Sequence, residues 1–177
     1  MTYLRHASRH VHQTVLDRIR AGLVEDDWLD VADGAAPYGT NEILWQPKRM
    51  KESELVGITT EQSIVAPWFA SEPEPEPQEL GGGLVMVSHA LVVDVVGEND
   101  SVSLAISGDI MDRLTGLKTD TSRFEPVYDY TADPRTAVVG YQIEFVNVVR
   151  SRPEANDLQR TWNVIVADVE VYFIGND

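Results

Sequence analysis

The sequence predicts an α+β fold: one mixed or antiparallel sheet with two helices packed on one face. Three observations carry this. Apolar residues recur every three or four positions over residues 3–23. They do so again over 101–114, a stretch that Ser101 can open and Gly116 can close. Residues 84–96, 137–149 and 161–174 instead alternate with a period of two, over lengths that suit long strands. One layer of sheet under two helices buries both helical stripes.

Taken in order, the first helix presents Leu4, Val11, Val15, Leu16, Ile19 and Leu23 on one side, with Gly22 near its expected stop. An acidic stretch, Glu25-Asp26-Asp27-Trp28-Leu29-Asp30, leads into a Gly/Pro-rich loop. Residues 41–46 read as a short strand closed by Pro47, and 48–61 are charged without a clear period. Residues 62–69 read as a strand that Pro67 confines to an edge or an end. The segment SEPEPEPQELGGG, 71–83, is read as an extended, solvated loop, because alternating Glu and Pro is not expected to form a ladder or a helix. Neither flank of this loop supplies a core alone, so 1–177 is read as a single domain.

The strongest elements follow. Val85, Val87, His89, Leu91, Val93 and Val95 share one face of the 84–96 strand, while Ala90, Val92 and Val96 make the other face apolar as well. Such a strand needs cover on both sides, and a neighbouring molecule can supply the second. Val102, Ala105, Ile106, Ile110 and Leu114 form the stripe of the second helix. Residues 124–130 suit another strand. Ala137, Val139, Tyr141, Ile143 and Phe145 share a face of the next, and Ile165, Ala167, Val169, Val171 and Phe173 a face of the last. The last two long strands are expected to be antiparallel neighbours. No internal repeat is present.

Composition narrows the function. The 177 residues carry a formal net charge of −15 and no cysteine. Disulfides and thiolate metal sites are thereby excluded. Duplex-binding proteins present a basic face to phosphates, whereas the longest basic run here is Lys48-Arg49-Met50-Lys51. No apolar run reaches the roughly 20 residues of a membrane span. The first residues lack the apolar core of a signal peptide, so the chain is expected to start near Met1 and stay in the cytoplasm of the cell that makes it.

The candidate chemical groups have simpler uses. His6 and His10 share a helix face, with His12 pointing elsewhere, but a third metal ligand is missing from the pattern. His89 on an apolar strand face reads as a core histidine satisfied by a hydrogen bond. Asp109 and Asp112, one helical turn apart, read as a solvated face. No nucleophile elbow or phosphate-binding glycine loop occurs. No catalytic, cofactor or metal residue is therefore assigned. Charge, however, is segregated. Base gathers at Lys48, Arg49 and Lys51 and at Arg150, Arg152 and Arg160. Acid gathers at Glu25, Asp26 and Asp27, up to Asp33, and at Glu72 to Glu79. Basic loops of one subunit can meet acidic loops of the next, the kind of head-to-tail contact that closes into a ring.

The order of parts resembles the tail terminator proteins of siphophages, especially those of actinobacterial hosts. The shared layout is an N-terminal helix (HVHQTVLDRIRAGL), a variable loop (EPEPEPQELGGG), a strand passing into a short helix with a turn (VSLAISGDIMDRLTG), and two closing strands ending in RTWNVIVADVEVYF. The resemblance implies a structural virion protein, not an enzyme, at the neck end of the tail. It implies a hexameric ring that caps the tail tube, docks to the head-side connector or stopper and lets DNA pass, with no cofactor. Six copies at −15 each carry −90, which suits a conduit that does not grip DNA. The 47–83 region is longer than the compact version of that fold needs. Two other readings remain: a different head-tail connector or neck completion protein, and a small ligand-binding or enzymatic domain built around a cavity at His89.

Overall fold

The computed structural model describes residues 3–29, 43–55, 58, 62–70, 74–77, 84–117, 124–151 and 160–174. Its elements are α1 (Tyr3–Glu25), β1 (Ile43–Trp45), α2 (Glu52–Leu55), β2 (Ser63–Phe69), β3 (Glu74–Pro77), β4 (Leu84–Gly97), α3 (Asp100–Thr115), β5 (Phe124–Asp129), β6 (Thr136–Ser151) and β7 (Thr161–Ile174). The fold is α+β. All seven strands form one mixed sheet in the order β1-β2-β4-β7-β6-β5, with β3 also paired to β4. Among the described residues only the β1–β2 pair is parallel.

The centre of the sheet is the β4–β7 ladder, which runs from Leu84↔Ile174 to Gly97↔Thr161 without a break. Its odd positions (Val87, His89, Leu91, Val93 and Val95 on β4; Ile165, Ala167, Val169 and Val171 on β7) are buried. They share one core cluster with Val11, Val15, Ile19 and Leu23 of α1 and with Ile106, Ile110 and Leu114 of α3. The period-2 and period-3.6 stripes read from the sequence therefore meet in one layer.

Several boundaries differ from the sequence reading, each for a local reason. Helix α1 does not stop at Gly22. It continues to Glu25, and Asp27 takes the left-handed conformation at φ 61°. The Trp28 N–H then bonds the Leu23 carbonyl at 2.8 Å and the Asp27 N–H bonds the Val24 carbonyl at 3.2 Å. This pair of bonds is a Schellman cap. Gly22 serves packing instead: a Cβ there would lie 3.1 Å from Cγ of Arg113. The N-cap of α3 is Asn99, not Ser101; its side chain accepts from the Val102 N–H at 3.0 Å. The inner side of α3 carries Ser103 and Ser107, while Ala105 is exposed. Ser103 fits there because α3 presses on the end of β4, where a Cβ on Gly97 would sit 2.5 Å from the Ser103 Cβ. At the other end, Gly116 closes the helix at φ 73°.

The 48–61 stretch holds a single helical turn, α2, inside what reads as irregular sequence. Part of the expected 71–83 loop is a strand: Glu74–Pro77 pairs with Ser88–Val85 of β4. Successive residues of a strand turn their backbone groups to opposite sides. Prolines at every second position can thus leave their missing N–H groups on the side away from β4, which is how an edge strand tolerates them. Strand β3 continues the line of β2 along the same side of β4, and among the described residues β2 has no outer partner beyond Val65, which puts Pro67 on an edge of the described sheet.

Strand β6 begins as read, with Ile143 and Phe145 buried, although Tyr141 is half-buried and Ala137 exposed. At Asn147 (φ 49°) a bulge shifts the register between Val146 and Val149. An extra residue reverses the alternation. Val148 now packs on the core, while Val149 pairs with Val166 on the opposite face.

Candidate functional site

Helices α1 and α3 cover one face of the sheet. The other face is formed by the even positions of β4 and β7, and its composition changes along the strands. At one end residues 48–55 fold over it: Met50 and Leu55 are buried against Ile64, Ala66 and Val96, with Ile58 and Trp162 beside them. This lid leaves Lys48, Arg49 and Lys51 exposed. Lys48 Nζ lies 3.1 Å from Glu54, and the Lys51 N–H also donates to Glu54. The hydrogen bond from the Lys48 side chain, with that from the Lys51 backbone, holds the Glu54 carboxyl below its ordinary range.

Beneath the lid lies a polar clamp. Asp94 is 6% exposed, and its two oxygens accept the indole N–H groups of Trp68 (2.8 Å) and Trp162 (3.0 Å). Burying a carboxylate requires such partners. The Arg49 guanidinium stands 5.2 Å from the Trp68 ring centre, within cation–π range.

The next row is apolar and open. Trp68 pairs with Val92, Val92 with Val166, and Val166 with Val149. Val166 is 39% exposed and Val149 58%. Beyond this row the face turns acidic. Asp168 accepts from the Asn147 amide at 2.9 Å, and Glu170 accepts from the Tyr172 hydroxyl. Glu144 stands directly opposite Glu170 across the β6–β7 ladder. The Tyr172 phenol is pushed up to about 12, first by its hydrogen bond to Glu170, then by burial and the two nearby carboxylates.

The residues singled out for an interface are distributed unevenly. Lys48, Arg49, Lys51 and Arg150 are exposed. Arg152 lies outside the described residues. Arg160 does not belong with the exposed cations: it is 5% exposed and its guanidinium donates to the Gln62 carbonyl, tying the start of β7 to the start of β2. Glu25 and Asp26 bind Arg113 of the same chain, Asp26 at 3.2 Å, and Asp27 forms the left-handed cap of α1. Glu25, Asp26 and Trp28 thus fix the end of α1 to α3. The acidic patch on the sheet was missed in the sequence because Glu144, Asp168 and Glu170 come together only through strand register.

His10, His12 and His89 make contacts within the fold. The His6 side chain lies outside the described residues. His10 Nδ1 accepts the Tyr130 N–H at 3.1 Å, and its ring lies near Asp129. His89 is 1% exposed on the core face of β4, and its Nδ1 lies 3.1 Å from Nε2 of His12, which stacks on Phe69 with ring centres 3.7 Å apart. Desolvation lowers both rings to about 4, so both are neutral near pH 7. Asp109 is not a solvated carboxylate; it accepts the Trp28 indole N–H at 2.8 Å.

A groove of about 480 Å³ lies along α1, the end of α3 and β5, away from His89. Its charges pair within the chain: Arg18 with Glu125, Arg113 with Glu25, and Arg135 with Asp17. Tyr130 donates to Asp17 at 2.9 Å, and burial together with that bond pushes its hydroxyl up to about 12. Among the described residues no group of three or more His, Cys, Asp or Glu could hold a metal ion, and no helix is long and apolar enough to cross a membrane. The chain matches no protein-family model and no curated protein.

Proposed function

We propose that the chain is a structural subunit that acts by assembling, and that its assembly is the ring that ends and caps the tail tube of a long-tailed bacteriophage. In this reading the ring docks to the head-side connector and leaves a channel for DNA. One observation carries the assembly part: α1 and α3 cover one face of the sheet, while the other presents Val149 and Val166 to solvent beside half-buried Trp68 and Trp162. Apolar surface of this kind supports a contact with another protein. The resemblance in layout to siphophage terminators supplies the particular assembly. The charge of −15 per copy suits a wall that passing DNA does not stick to.

The test is particle mass by light scattering, with the chain alone and with the tail tube protein, together with tube length by electron microscopy. The expected result is a six-copy mass, 118.2 kDa at 19.7 kDa each, appearing with the tube protein, and tubes that stop growing when the chain is added. A chain that leaves both the mass and the length of the tubes unchanged would overturn the reading.

A further inference from the structure

Two faces of the chain carry apolar side chains that its own core does not use. One is the open sheet face, where Val149 and Val166 are exposed and Val92 and Val146 are half-buried. Asp168 pairs with Val146 and Ala90 there, and Glu170 follows on the same strand. Both carboxylates are held by neutral donors, the Asn147 amide and the Tyr172 hydroxyl. Among the described residues neither of them meets a cation. The other face is a stripe on α1. Arg9, Gln13, Leu16 and Arg20 fall within a sector of about 60° on a helix that turns ~100° per residue. Arg9 is exposed, Leu16 and Arg20 are half-buried, and Leu16 lies outside both core clusters. Among the described residues neither Arg9 nor Arg20 has an ion pair, whereas Arg18, Arg113 and Arg135 bind carboxylates of their own chain.

We propose that the α1 stripe of each copy docks on the open sheet face of the next, with Leu16 on Val92, Val166 and Val149 and Arg9 at Asp168 and Glu170. This rests on the reading of the chain as a ring subunit, and it names the contact between the copies. The spacings agree. Arg9 is seven residues from Leu16, about 10 Å at ~1.5 Å per residue of helix. Asp168 and Glu170 are two and four residues from Val166, about 7 and 13 Å at ~3.3 Å per residue of strand. Arg20, about 6 Å on the other side of Leu16, stops short of Trp162. The reverse direction would carry Arg9 toward the basic lid. The two faces differ and lie on opposite layers of the subunit, so the contact is head-to-tail and closes into a ring when its rotation allows. The stripe stands about 110° round α1 from the centre of Val11, Val15, Ile19 and Leu23. A sheet laid on the stripe is therefore turned about 70° from the sheet beneath that helix, close to the step of about 60° that closes six copies. The strip from Arg9 to Arg20 is about 16 Å long and one helix wide, which is small for a stable free pair. The copies accordingly join where the tube already holds them.

The chain has no cysteine, so cross-linking through introduced thiols has no background. Leu16→Cys with Val166→Cys in one chain, assembled on the tail tube protein and treated with a short bis-maleimide, is expected to give a ladder in steps of 19.7 kDa that ends at six copies, 118.2 kDa. An equimolar mixture of the two single variants is expected to stop at two copies, 39.4 kDa, and each single variant by itself to stay at 19.7 kDa. On the double-cysteine chain, Arg9→Glu, and separately Asp168→Lys with Glu170→Lys, are each expected to lower the ladder about tenfold. An equimolar mixture of these two is expected to restore it, because every contact in an alternating ring then joins unlike charges. Circular dichroism of these surface variants should match wild type. Single variants that cross-link to themselves, a double variant without a ladder, or a reversed mixture that does not recover would each overturn the proposal. Tubes that are capped without a ladder remove this contact alone; a ladder on tubes that keep growing removes the capping role alone.

Discussion

Acidification should loosen the docking of α1 on the sheet through His89. In the folded chain desolvation depresses the His89 ring from 6.5 to about 4, with His12 adding a smaller effect, and His89 is 1% exposed. In the unfolded chain the ring titrates normally. The unfolded state therefore takes up a proton first as the pH falls, and stability drops over the window from 6.5 down to about 4. Below that window the two states bind the proton alike and the loss levels off. The full loss is on the order of 3 kcal/mol, and about 2 kcal/mol of it falls above pH 5. His12 is likewise lowered to about 4 by burial, and its proton is linked to that of its 3.1 Å neighbour, so the two rings lose stability over the same window. The assay is urea unfolding of wild type and His89→Leu, followed by tryptophan fluorescence at several pH values between 7 and 4.5. Carboxylates titrate in both proteins, so the quantity of interest is the difference between them. Wild type is the more stable at pH 7 if the imidazole contact matters, and its advantage should shrink by about 2 kcal/mol by pH 5. A difference that stays flat over this range would refute the reasoning.

Two further substitutions probe the sheet. Asp94→Ala leaves two indole N–H groups without their acceptor, and a loss of about 1–3 kcal/mol is expected in the same urea assay; Asp94→Glu, which cannot place both oxygens alike, should fall between. Gly97→Ala puts a methyl group 2.5 Å from the Ser103 Cβ and 2.9 Å from the Asn99 carbonyl, so thermal unfolding should report a loss of about 1–3 kcal/mol, with an unchanged midpoint counting against the close approach of α3 to β4.

What the sequence made legible was whatever depends on near neighbours. The β4 and β7 alternations, Val87 to Val95 and Ile165 to Val171, appear in the structure as read because each residue's face follows from its parity alone. Val11, Val15, Ile19 and Leu23 of the α1 stripe and the glycine stop of α3 were legible for similar reasons, whereas Leu16 stays outside the core cluster. Prolines 75 and 77 misled because they were weighed as breakers, without regard to which side of an edge strand each occupies. The bulge at Asn147 carries no strong local signal, and it moved Val149 to the open face. Composition reads an arginine as exposed, yet Arg160 is held by the Gln62 carbonyl, 98 positions away. His89 was readable as a core residue, but its partner His12 is 77 positions distant. The groove and the acidic patch are likewise products of register and of helix placement.

The strand order has a consequence for how the protein is made. Strand β7 is the last described strand to leave the ribosome, yet it sits between β4 and β6. Until it arrives, the two halves of the sheet have no shared ladder, and β4 and β6 each present a long unpaired side. Such sides are templates for stray strand addition. The nascent chain must therefore remain open, or be sheltered by a chaperone, until synthesis has passed Ile174. Truncation within β7 would not trim this protein; it would leave two half-sheets with nothing between them.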